Sequence, residues 1–242
     1  MMTGPGPSQG QGPPRRRGKK RSRRGPAVSS QATTGKQRAK KRRRRGPKPW
    51  LPDLRLTMED KMDLQGTGML RCAVLEAAVK LLRQQFQDAT GLPCIRAVCF
   101  PVRPRTVPTV QFHVDCQHQH GFVTACEGTK VVVADSYKAM AFGSMAIRQI
   151  KDSYKNYMKD PTKNMEYLAV DQQSSTNKDC VIHCIANAYE LLAADGNPEC
   201  VYNKQLMRPH LLQCFTNRKI TEFPKDYKPA GQPSVKPFKW KP

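Results

Sequence analysis

Nowhere in the 242 residues do the roughly 18 consecutive apolar residues of a membrane-crossing helix occur, so no membrane contact is expected. The first residues lack the apolar core of a secretory signal. Acidic residues are absent from the first fifty positions, and apolar ones are too sparse there to bury a core. Residues 1–49 therefore read as a disordered tail. There is no Cys-x-x-Cys pair and no internal repeat. The nine cysteines are an odd number, and Cys72, Cys184 and Cys214 sit inside apolar periodic runs. Without a secretory signal, that pattern argues for reduced, buried thiols in a cytosolic or nuclear protein, with no disulfide. The stretch from His113 through Cys116 and His118 to His120, with Cys126 beyond it, has metal-ligand residue types. Zinc is usually held by paired ligands from two segments, and no second pair exists here, so no metal and no cofactor are expected. His113 reads as a strand residue and His118 as a solvated loop residue.

Positive charge is concentrated at one end. The clusters Arg15-Arg16-Arg17, Lys19-Lys20-Arg21, Arg23-Arg24 and Lys40-Lys41-Arg42-Arg43-Arg44-Arg45 bring the first fifty residues to 17 Lys and Arg. The remainder carries 25 basic against 19 acidic residues, which is only mildly basic. A polycationic tail binds phosphates by releasing counterions, and short Lys/Arg runs also serve nuclear import. Non-specific nucleic-acid binding and a nuclear location follow as expectations, with a cytoplasmic location as the alternative. No element in the tail is suited to reading bases.

From about Trp50 to Pro224 the pattern is that of one α+β domain. Leu70, Val74, Ala77/Ala78, Leu81 and Gln85/Phe86 form a helical stripe that stops before Gly91-Leu92-Pro93. Strands are expected over Val110–Val114, His120–Cys126 and Thr129–Asp135, then a helix over 141–158 and a short strand over Glu166–Val170. A helix from Cys180 is expected to stop near Asp195-Gly196-Asn197-Pro198, and a last helix spans about Asn203 to Phe215. Residues 225–242 are rich in Lys, Pro and Gly and read as a flexible tail.

Asp179-Cys180 is the most informative position. Val181, Cys184/Ile185, Ala188 and Leu191/Leu192 recur at helical spacing, and Asn177 or Asp179 can cap that helix, which puts Cys180 in its first turn. The positive end of the helix dipole there favours negative charge on the thiol. Glu127-Gly128 is a plausible hairpin turn; if Cys126 pairs with Thr129, His120 faces Asp135 on one side of the sheet. A carboxylate opposite a histidine orients the ring and stabilises its imidazolium form. Cys180, His120 and Asp135 thus form a candidate catalytic constellation. Gln173, seven residues before the cysteine, can donate its side-chain amide to an oxyanion. His183 and His210 read as packing or surface residues.

These residues resemble the ubiquitin-like-protein-specific cysteine proteases, the SUMO-protease family, with adenovirus protease as a more distant relative. That family shows a His-Trp, an Asp-Ser closing a following strand, and a Gln before an Asp-Cys-Gly that opens a helix. The counterparts are His120-Gly121, Asp135-Ser136, Gln173 and Asp179-Cys180-Val181. Leu75–Phe86 ending in Gly91-Leu92, with Met207–Leu211 and Glu222-Phe223-Pro224, looks like the transposon-associated branch. The resemblance runs collinearly from about Leu54 to Pro224 and implies a papain-like cysteine protease domain that cleaves a peptide or isopeptide bond. Its implied substrate is a ubiquitin-like protein or another polypeptide. Two positions depart from the pattern. Gly121 replaces an aromatic residue that covers the substrate tail, so Gly121→Trp is expected to rebuild that wall, and Val181 replaces glycine. The alternatives are a catalytically inactive protease-fold binding module and a basic nucleic-acid-binding protein of a mobile element or virus. Oligomeric state is not legible.

Overall fold

The computed structural model describes residues 46–95, 109–115, 119–127, 130–137, 144–155, 158–174, 176 and 178–226. The basic clusters of residues 15–45, His118, Asn177 and the segment after Asp226 lie outside the described residues.

Two short antiparallel strands, β1 (Pro49–Leu51) and β2 (Leu56–Thr57), lead into α1 (Met58–Gln65). Thr57 and Asp60 form a reciprocal capping box at the start of α1. Next comes α2 (Cys72–Gln85), which buries Val74, Leu75, Ala77, Ala78, Leu81 and Leu82. This is the apolar stripe read from the sequence. A five-stranded sheet follows, with β3 (Thr90–Ile95), β4 (Thr109–Asp115), β5 (His120–Glu127), β6 (Lys130–Ala134) and β7 (Met165–Tyr167) in that spatial order. The β4–β5–β6 centre is antiparallel, whereas β3 and β7 join the edges parallel to their neighbours. Helices α3 (Ser144–Tyr154), α4 (Cys180–Leu192) and α5 (Lys204–Asn217) complete the order.

Strand alternation divides the sheet into two chemically different faces. Val110, Phe112, Val123, Ala125, Val132 and Ala134 belong to the main apolar core, together with residues of α2, α4 and α5. Phe122, Cys126, Val131 and Val133 pack with Ala146, Ile150 and Tyr154 of α3. The same α3 side of the sheet buries polar groups. His113 Nε2 pairs with Thr124 Oγ1 at 2.7 Å, and Thr124 Oγ1 pairs with the Tyr154 hydroxyl at 2.7 Å. Burial lowers the His113 pKa to about 3, so its ring is neutral; it stacks on Phe122 at 4.7 Å. His120 shares this face.

The C-terminal segment closes over α2 through paired hydrogen bonds between the Gln85 amide and the Ile220 backbone, each 2.7 Å. Trp50 packs edge-on against Phe215 at 6.5 Å, which ties the start of the folded region to α5.

Three sequence readings need correction. The helical stripe stops before Gly91-Leu92-Pro93 as expected, but the strand that contains these residues, β3, was not read. Proline has no N–H to give a sheet, and the ladder is irregular between Gly91 and Cys94 on this edge strand, where that loss is tolerated. The β5–β6 hairpin pairs Glu127 with Lys130, not Cys126 with Thr129, a register two residues away from the expected one. The segment before α2, read without secondary structure, contains β1, β2 and α1.

Candidate active site

A slip of two residues preserves strand face, whereas a slip of one reverses it. His120 and Asp135 therefore stay on the same side although they are diagonal rather than directly opposite. His120 Nε2 and Asp135 Oδ1 are 2.7 Å apart. The carboxylate is held in turn by the Tyr137 N–H, which donates to Oδ1 at 2.9 Å. Gln172 Nε2 donates to the Asp135 carbonyl and to the Val170 carbonyl, both at 3.0 Å, and so fixes the corner where β6 ends. Tyr137 also meets the His120 ring edge-on at 6.0 Å. Both members of the pair are almost fully buried.

Cys180 is the first residue of α4 and is buried. Its Sγ lies 3.8 Å from the Gln119 carbonyl oxygen, and it is close enough to His120 to influence that ring's titration. Gln119 adopts φ 51, a left-handed backbone that costs a non-glycine residue about 1 kcal/mol, and it turns the chain sharply into β5. Burial alone would lower the His120 pKa. The hydrogen bond to Asp135 and its negative charge, with the Cys180 sulfur nearby, outweigh burial and raise it to about 9. At neutral pH the ring is therefore an imidazolium, poised between a carboxylate and a sulfur. That arrangement can stabilise a nucleophilic thiolate and return a proton to a leaving group.

The helix start is built differently from the sequence reading. Asp179 occupies the cap position of α4, but its side chain makes no capping hydrogen bond. Arg208 of α5 takes that carboxylate instead, donating to Asp179 Oδ1 from Nε at 2.8 Å and Nη2 at 2.5 Å. The same guanidinium donates to the carbonyls of Asp63 and Gly68 at 2.7 and 2.6 Å. A charge-assisted bond outcompetes a strained cap. Arg208 thereby joins α5, the end of α1 and the residue before Cys180. No local sequence signal marks a partner 29 residues away.

Gln173 is anchored by its backbone N–H, which donates to the Ser136 carbonyl at 2.8 Å beside Asp135. Its side-chain Oε1 is buried and has no hydrogen-bond partner among the described residues. His183 is buried against Tyr202, at 5.9 Å between rings, and burial lowers its pKa to about 4. It is a neutral packing residue, not a base for Cys180. A cleft of about 830 Å³ adjoins the helix start. Lys178, Asp179, Lys204 and Arg208 line it, whereas Cys180 and His120 do not.

The expectation for Gly121 meets a steric obstacle. Its Cα–H points away from His120, toward α4, where an added Cβ would lie 3.2 Å from Cys184 Sγ and 3.6 Å from the His113 carbonyl oxygen. A larger side chain here has to displace Cys184 to be accommodated. Val181 packs at the margin of the main core.

The sequence reading missed one pairing of chemical interest. His210 Nε2 lies 3.4 Å from Cys214 Sγ on α5. The four-residue spacing was the available signal, because such residues share a helix face.

No protein-family model matches the chain, and no curated protein matches it. Solved structures do. SUMO protease Ulp1 with its catalytic cysteine oxidized to a sulfinic acid superposes with a TM-score of 0.52 at 13% identity, covering 71% of this chain and 88% of its own. A second structure of Ulp1, with the cysteine oxidized to a sulfenic acid, gives 0.50 at 14% identity, covering 68% and 84%. At such identities the likeness concerns the fold. The mixed helix-and-sheet architecture of this chain is that of a ubiquitin-like-protein protease domain.

Proposed function

We propose that this chain is a thiol peptidase that cleaves a peptide or isopeptide bond, with the C-terminal tail of a ubiquitin-like protein as its substrate class. The observation that carries the reading is His120, hydrogen-bonded to a buried carboxylate and lying near Cys180 at the start of α4. In this reading Cys180 Sγ attacks the scissile carbonyl carbon and forms a thioester. His120 gives its proton to the leaving amine and then draws a proton from the water that hydrolyses the thioester. Asp135 holds the ring orientation throughout. The Cys180 backbone N–H at the start of α4 and the Gln173 amide stabilise the tetrahedral oxyanion. The fold shared with Ulp1 supports the reading without fixing the substrate.

The test is a panel of ubiquitin-like proteins carrying a C-terminal electrophile, incubated with the full chain and with Cys180→Ala. One probe should form a covalent adduct with the parent chain and none with the variant. A native chain that reacts with no probe, while a small alkylating reagent also fails at Cys180, would replace this reading with that of a binding module.

The basic tail adds a separate proposal, nucleic-acid binding and nuclear import through Arg15–Arg17, Lys19–Arg21 and Lys40–Arg45. Its support is charge density alone. Deleting residues 1–48 should abolish salt-dependent binding to DNA or RNA and nuclear accumulation. An unchanged slope of affinity against salt would place the contact on the folded part.

A further inference from the structure

Cys214 and His210 lie one turn apart on α5, and the chain returning after that helix brings Thr221 against both. His210 Nε2 is 3.4 Å from Cys214 Sγ, 3.2 Å from Thr221 Oγ1 and 3.3 Å from the Thr221 carbonyl oxygen. The Thr221 hydroxyl is 3.6 Å from the sulfur. The thiol thus has an imidazole nitrogen and a hydroxyl within hydrogen-bonding reach. Phe223 covers the ring from one side, with centroids 4.9 Å apart. Cys214 is 3% exposed and His210 is half-buried, so a reagent for this sulfur has to be small.

Two forces oppose a thiolate here. Burial raises the Cys214 pKa, and the last turn of a helix presents the negative end of its dipole. The His210 and Thr221 contacts outweigh burial, so the net direction is downward, while His210 is raised by the same sulfur. Cys200 offers an internal contrast. It is also buried, at 7% exposed, and burial pushes its thiol up to about 11.

We propose that Cys214 is a second reactive thiol of this chain, a modification site for small uncharged hydroperoxides, held ready by His210 and Thr221. The sulfur attacks the nearer peroxide oxygen, forming an S–O bond as the O–O bond breaks. The sulfur is oxidised to a sulfenic acid and the peroxide is reduced. The departing hydroxide takes the His210 proton and leaves as water. A ubiquitin-like protein with a C-terminal electrophile is too large for this site and reports Cys180 alone.

The experiment exposes the full chain to hydrogen peroxide for timed intervals and quenches it with catalase. The chain is then unfolded and its surviving thiols are alkylated with N-ethylmaleimide, and peptide mass mapping gives the loss at each cysteine. Cys214 should be lost at least about tenfold faster than Cys200. His210→Gln should bring Cys214 down toward the Cys200 rate without changing the rate at Cys180. Equal rates at Cys214 and Cys200 in the parent chain overturn the proposal whether or not the variant folds. A folded His210→Gln chain in which Cys214 still reacts at the parental rate overturns it as well.

Discussion

Cys180 opens α4 and meets an imidazole delivered by a strand, whereas Cys214 lies in the last turn of α5 and meets one from its own helix, four residues back. Helix polarity assists a thiolate at the first and opposes it at the second. Behind His120 stands Asp135, a buried carboxylate at 2.7 Å. Behind His210 stands only a threonine, through its carbonyl and hydroxyl oxygens. If Cys214 reacts as proposed, a sulfur–imidazole contact is enough for thiol reactivity, whereas turnover needs more. Turnover also requires a ring whose proton is retained and aimed, an oxyanion site, and room for a polypeptide. Among the described residues, the α4 region brings together a helix start, a histidine paired with a carboxylate, and Gln173, and the comparison sharpens if each is removed separately.

Removing the sulfur should have the largest effect. Cys180→Ala is expected to abolish hydrolysis, at least about 10⁴-fold in kcat/KM, with the thermal midpoint little altered. An unchanged rate would move the chemistry elsewhere. Asp135→Asn comes next, with a loss of roughly 10²–10⁴-fold, because the ring loses its orienting charge. The pH profile separates this role from a structural one. His120 holds its proton below about 9 and loses it above, so hydrolysis by the parent chain should fall as pH rises through that value. Alkylation of Cys180 should survive there, since a thiolate needs no acid to react. Asp135→Asn should move the falling limb to lower pH, and an unmoved limb would mean that another group keeps His120 protonated.

Much of this site was legible because it depends on parity and periodicity. The helical stripe after Cys180 placed the thiol at a helix start, as found. The hairpin register was two residues out, yet the face assignment survived because strand side chains alternate with period two. Features built from distant or polar contacts were not legible. Asp179 had every local mark of a cap, but Arg208 captured it from another helix. β3 was hidden by Gly91 and Pro93, which read as a stop in one dimension but are tolerated on an edge strand. α1 buries only Asp60 and Leu64, too little for an apolar stripe, so its Thr57–Asp60 capping box was the one readable mark. The direction in which Gly121 faces could have been inferred from alternation once His120 was placed.

That direction sets the third prediction. Gly121→Trp should cost about 1–3 kcal/mol or more of stability, because the side chain has to displace Cys184 and the start of the β4–β5 pairing. Hydrolysis should fall rather than rise, since the strand carrying His120 is strained. Denaturant unfolding checks the cost. Gly121→Ala should show a smaller loss of the same sign, because a lone Cβ meets Cys184 Sγ at 3.2 Å and needs only a slight shift. Increased turnover in Gly121→Trp would mean that the indole turns out toward the substrate after all.

The smallest expected effect is the most discriminating for the two thiols. His210→Gln should leave hydrolysis within about twofold of the parent chain, because His210 touches Cys214, Thr221 and Phe223 but none of His120, Asp135 or Cys180. Glutamine keeps a side-chain N–H for the sulfur and removes only the titrating ring, so α5 should retain its fold. That matters because α5 also carries Arg208, which grips the residue before the nucleophile. A large loss of hydrolysis with unaltered circular dichroism would show that α5 couples the two regions. The route would be a shift of Arg208 away from Asp179. Arg208→Lys, which keeps the charge but loses the forked geometry, should then reproduce that loss with His210 intact.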